Sequence, residues 1–135
     1  MPYRVVMLIH RKPGMTPEAF KAYYENTHVP LMQLLTGSLF PLSHTRRYLQ
    51  RTATPTSDGG SWKYPAAILS GSQEDFGYDT ITEMVFEDET AFKRFFDLFA
   101  QPEFGAKVAA DCGNFMDMEK SPGVILEDLV VTKRT

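Results

Sequence analysis

Residues 3–31 read YRVVMLIHRKPGMTPEAFKAYYENTHVPL, and two periodicities meet in them. Tyr3 to His10 is a β-branched, nearly continuous apolar run, the pattern of a central strand covered on both faces. Pro13-Gly14 ends it. Thr16 then precedes Pro17 and Glu18, which places a capping hydroxyl, a proline at the first helical position and a carboxylate at the positive end of a helix. The apolar face of that helix runs through Phe20, Tyr23/Tyr24, Thr27/His28, Leu31 and Leu34/Leu35, and Gly37 stops it. Pro30 has no N–H for the Asn26 carbonyl and predicts a kink within one turn of His28.

Outward from this unit, Ser43 to Gln50 and Tyr78 to Phe86 read as strands, the second rich in Thr, Ile, Val and aromatics. Glu87-Asp88-Glu89 puts negative charge at the start of a helix with Ala91, Phe92, Phe95, Phe96 and Phe99 on its core face, and Pro102 breaks it. A shorter helix follows to about Asn114, around Phe104, Val108 and Cys112, before Ser121-Pro122-Gly123 turns the chain into a last strand, Val124 to Thr132. The order β-α-β-β-α-(α)-β is the split βαβ of a ferredoxin-like α+β fold, one antiparallel sheet with its helices on one face. Without a repeat or a dividing linker, residues 1–135 read as a single domain. The first and last strands are apolar on both faces while the helices cover one, so a homodimer that buries the other is expected.

Residues 51–77 form a long connection carrying Pro55, Gly59-Gly60, Pro65, Gly71 and Gly77. Trp62, Tyr64 and the stretch Ala66 to Leu69 make it read as a docked segment, over a substrate or against a partner subunit, with a plain surface insertion as the alternative.

Composition narrows the function. At 43% hydrophobic and 23% charged residues, disorder and a membrane-spanning architecture are disfavoured. Fourteen Lys+Arg against 17 Asp+Glu, with no basic block, argue against nucleic-acid binding. The N-terminal apolar run is short and lacks a small-residue cleavage site, so it reads as a strand rather than a signal peptide, and a cytoplasmic location is expected. The single cysteine, Cys112, forms neither an internal disulfide nor a cysteine metal site and reads as a small buried apolar residue. Dinucleotide, nucleoside triphosphate, serine-hydrolase and metal-ligand spacings are missing, which leaves cofactor-free proton transfer as the plausible chemistry. Ten Phe, six Tyr and one Trp fit a large aromatic core or an aromatic-lined pocket.

Of the three histidines, His10 ends the first strand beside Arg11 and Lys12 and reads as solvent-facing. His28, one turn after Tyr24 on the apolar helix face, reads either as a satisfied core histidine or as a general acid/base in an aromatic cavity. His44 alternates with Arg46 and Tyr48 along one strand face, either an exposed face or a polar row able to bind a phenol or carboxylate. Asp79 falls in a strand, where an aspartate needs a partner unless it forms a turn, and Asp111 reads as a cap on the loop to Phe115.

Leu8 to Leu31, LIHRKPGMTPEAFKAYYENTHVPL, resembles the EthD-domain proteins, whose first strand runs into R-K-P-G-(M/L)-(S/T)-x-E-x-F and whose first helix ends in H-x-P-L. Tyr78 to Phe86 and Ala110 to Asp117 are similar to the family's D-x-(I/V)-x-E-x-x-F and D-x-x-x-F segments. The resemblance implies a dimeric α+β barrel. The long connection, size and aromatic content look more like a fungal subgroup that decarboxylates or dehydrates aromatic polyketides without a cofactor. Carried over on matched positions, His28 is the catalytic candidate and Asp79 the next. Independently of the resemblance, Tyr24, His44, Arg46, Tyr48 and Trp62 are expected around the substrate, with no metal. His44 or Arg46 is the expected partner for a substrate carboxylate. The alternatives are a cofactor-free monooxygenase acting on an anthrone, and a small-molecule-binding dimer without turnover.

Overall fold

The computed structural model of the chain describes residues 1–56 and 63–135. Strands β1 (Tyr3–Ile9), β2 (Ser43–Tyr48), β3 (Thr80–Phe86) and β4 (Gly123–Leu126) form one antiparallel sheet in the order β2-β3-β1-β4. Val5 pairs with Met84 and Ile125, Ile9 with Thr80, and Arg46 with Thr82. Because side chains alternate along a strand, Val5, Met7, Ile9, Thr82, Met84 and Phe86 share one face with His44, Arg46 and Tyr48.

Helices α1 (Pro17–Tyr23), α2 (Val29–Thr36), α3 (Glu89–Asp97) and α4 (Pro102–Cys112) cover that face. Met32, Phe95, Val108 and Cys112 pack with Val5, Met84 and Phe86, while Phe20, Tyr24 and Phe115 pack against Ile9. Caps match the sequence: Thr16 accepts from the Ala19 N–H at 3.0 Å, and Asp88 from the Ala91 N–H at 2.8 Å. The fold is the α+β, ferredoxin-like arrangement that the element order implies. Among the described residues, no helix is long and apolar enough to cross a membrane.

The first helix departs from its expected course. Tyr24–His28 is a π-helical turn, in which the Val29 N–H bonds to the Tyr24 carbonyl, and α2 restarts with Pro30 in its first turn. The extra residue in the turn shifts the helix face that follows. His28, Met32 and Thr36 are buried at steps of four, and Leu34, expected on the core face, is 80% exposed. The last strand also ends early, at Leu126 rather than Thr132. Leu126 pairs with Arg4, and β1 begins one residue earlier at Tyr3, so beyond Leu126 the strand soon meets Pro2, which has no N–H to offer.

Asp79 closes the sheet end and anchors the long connection. It is 5% exposed and takes ion pairs from Arg11, at 3.0 Å, and from Arg51. Arg51 also donates to the backbone carbonyls of Tyr64 at 3.0 Å and Tyr78 at 2.8 Å, so one buried guanidinium ties both flanks of the connection together. Removing the carboxylate leaves two cations facing each other under cover. Asp79→Ala is therefore expected to lower stability by about 3–5 kcal/mol in urea unfolding.

Candidate functional site

A cavity of about 850 Å³ lies between the inner sheet face and the helices. Most of its wall is Phe, Met, Val and Ile. Its polar lining comes from Tyr24, His28, His44, Thr82, Cys112 and Ser121, and no Lys, Arg, Asp or Glu borders it among the described residues.

His28 reaches this wall from the π-turn and is 8% exposed. Its Nδ1 lies 2.6 Å from Asp111 Oδ2. An ionised carboxylate only accepts, so Nδ1 carries the proton and donates, which leaves the Nε2 lone pair as the free position of the ring. Asp111 is itself 6% exposed, and its Oδ1 accepts from the Tyr23 hydroxyl at 2.6 Å. Burial holds the His28 pKa below its ordinary 6.5 against the opposing pull of Asp111, so the ring is neutral at pH 7.

His44 presents the complementary group. Its Nδ1 lies 2.8 Å from the Arg46 guanidinium, which only donates, so Nδ1 accepts and the proton sits on Nε2. Burial, then the Arg46 charge, pushes the His44 pKa down to about 4. His28 and His44 both approach the Tyr24 ring edge-on, with centroids at 5.5 and 6.1 Å, and Phe40 stacks on His44 at 6.0 Å. The Tyr24 hydroxyl hydrogen-bonds Thr82 Oγ1 at 2.8 Å, and burial pushes its pKa up to about 12. Cys112 is buried, with its thiol likewise pushed up to about 12 by burial.

The structure thus brings Tyr24, His28 and His44 to one cavity. Arg46 and Tyr48 stand behind it, both bonded to the Glu25 carboxylate, with Arg46 Nη2 at 3.0 Å. That pairing occupies the cation expected to meet a substrate carboxylate and holds Glu25 below the usual carboxylate range, chiefly through the Arg46 hydrogen bond. Asp79 is at the Arg11/Arg51 cluster, apart from the cavity lining. Trp62 lies outside the described residues, and no described residue of 51–77 lines the cavity. His10, expected in solvent, is half-buried against Tyr78.

Asp111, Tyr23 and Glu25 are the polar partners that sequence reasoning missed. For Asp111 a signal existed: it stands three residues after Val108 and beside Cys112, on the apolar stripe of α4, where a carboxylate needs donors.

The lowered histidine pKa values fix a pH dependence. Between about 4 and 6.5 the unfolded chain binds a proton that folded His44 does not, so stability is complete above that window and falls as the pH drops through it. The slope is expected to reach about 1.4 kcal/mol per pH unit, with His28 adding in the same direction. Urea midpoints measured across this range check it, and His44→Gln is expected to flatten the profile.

The EthD domain family model matches residues 12–119. Among solved structures, an EthD family protein of Bacillus halodurans aligns with a TM-score of 0.54 at 16% identity, covering 96% of this chain and 100% of the other. An EthD-like protein of Ralstonia eutropha aligns at 0.57 and 16%, covering 99% and 96%. An Arabidopsis thaliana protein aligns at 0.52 and 17%, covering 97% and 99%. No curated protein matches the sequence. With the family match spanning most of the chain and the fold shared end to end, this chain belongs to the EthD domain family.

Proposed function

We propose that this protein is a cofactor-independent lyase that dehydrates an aromatic polyketide intermediate by general acid/base catalysis at His28. The observation that carries the reading is the buried Asp111–His28 pair on an uncharged cavity wall. A neutral imidazole with Nδ1 held by a carboxylate is a base at Nε2. Nε2 takes the proton alpha to a carbonyl, and the electron pair moves onto the carbonyl oxygen, which the His44 Nε2–H stabilises. The enolate then collapses, the carbon–oxygen bond to the β-hydroxyl breaks, and His28 returns its proton to the departing oxygen, releasing water and restoring the neutral ring.

Dehydration is favoured over decarboxylation because Arg46 is committed to Glu25 and, among the described residues, no cation borders the cavity to hold a substrate carboxylate. The aromatic walls, the cavity volume of about 850 Å³ and the resemblance to the fungal polyketide-tailoring enzymes support a planar substrate of drug-like size. Turnover of aromatic β-hydroxy ketones and β-keto acids, read by mass with and without oxygen, tests this. Loss of water is expected, reduced about 100-fold or more in His28→Ala. Loss of CO2 or gain of oxygen would replace the assignment, and binding without conversion would make the protein a carrier.

The outer sheet face supports a homodimer. Val6 pairs with Val124, and Leu8 with Ile81, around an Arg4–Glu83 ion pair at 3.5 Å, and Val124 and Ile81 remain 57% and 37% exposed. Light scattering is expected to give twice the 15.3 kDa chain mass, and a monomer at micromolar concentration would contradict this.

A further inference from the structure

The α1/α2 junction holds two rings on one carboxylate. Tyr23 donates to Asp111 Oδ1, His28 to Asp111 Oδ2, and Asn114 Nδ2 donates to the Tyr23 oxygen at 2.9 Å. Tyr23 and His28 are five residues apart. On an α-helix of 3.6 residues per turn, five residues carry a side chain about 140° away from its starting direction, too far for both to meet the same group. The π-turn Tyr24–His28, with its i→i+5 bonding, holds more residues per turn and returns the fifth residue close to that direction. Both rings also pack on Phe115, which is fully buried, with centroids at 5.2 Å for Tyr23 and 4.8 Å for His28.

We infer that Tyr23 is a positioning residue for His28, acting through Asp111, and that the π-turn is the element that makes this shared carboxylate possible. The inference rests on the reading of His28 as the base and adds the group that tunes it. A carboxylate that accepts from a phenol spreads its charge over two donors and attracts a proton on His28 less strongly. Tyr23 therefore works with burial to keep the ring neutral, and Asn114 orients the phenol from outside. The other groups that face His28 are Tyr24 on its own segment, His44 and Arg46 on β2, and Cys112 on α4, and none of them bonds to Asp111.

The test is an NMR titration of the His28 ring in wild type, Tyr23→Phe, Asn114→Ala and Asp111→Asn, with no substrate present. Tyr23→Phe keeps the ring on Phe115 and is expected to raise the His28 pKa by about half a unit or more, Asn114→Ala to raise it less, and Asp111→Asn to lower it. An unchanged pKa in Tyr23→Phe alongside the drop in Asp111→Asn overturns the role of Tyr23 while leaving the His28–Asp111 base intact. No change in Asp111→Asn overturns that pair and the functional reading with it. If Tyr23→Phe does not fold, the exposed Asn114→Ala variant decides the same question: an upward shift supports the role of Tyr23, and no shift overturns it.

Discussion

A carboxylate buried on the apolar stripe of a helix has to be met by donors, or the helix cannot pack there. Asp111 is that carboxylate, and its two oxygens are matched by Nδ1 of His28 and the hydroxyl of Tyr23. Satisfying it commits the first helix to a π-turn, fixes the His28 tautomer and seats both rings on Phe115. The packing requirement of α4 and the chemistry of the cavity are one constraint seen from two sides.

Charge elsewhere is arranged so that the cavity stays neutral. Arg46 is held by Glu25 behind the wall, and Arg11 and Arg51 are held by Asp79 at the far end of the sheet. Arg46 nevertheless acts on the site, because its guanidinium sets the His44 tautomer and adds to the burial that keeps that ring uncharged. Two neutral imidazoles, one offering a lone pair and the other an N–H, therefore share an apolar space in which hydrogen bonds to a reacting carbonyl are stronger than in water.

The fold was legible because its signals are local: the apolar run of Tyr3 to Ile9, the Thr16-Pro17 cap, the β-branched Thr80 to Thr82 with Val85 and Phe86, and the Phe-lined third helix each state their element within a few residues. The alternation of His44, Arg46 and Tyr48 was legible for the same reason. The π-turn was not. Pro30 announced a disturbance near His28, but whether a helix answers with a kink or an inserted residue depends on what its side chains must reach, and that partner lies 83 residues away in Asp111. Asp79, read as falling in a strand, lies one residue before β3, and the partners that an aspartate needs there are Arg11 and Arg51. Glu25 carried no local sign at all, being one of two acids, with Glu18, on its helical segment until β2 is placed beside it.

The most direct test of the account is the nitrogen chemical shifts of the His28 ring at neutral pH. The expected result is a neutral ring with a protonated Nδ1 bonded to Asp111 and an unprotonated Nε2. A ring protonated at Nε2 alone, or an imidazolium at pH 7, would contradict it, since neither leaves a base facing the cavity.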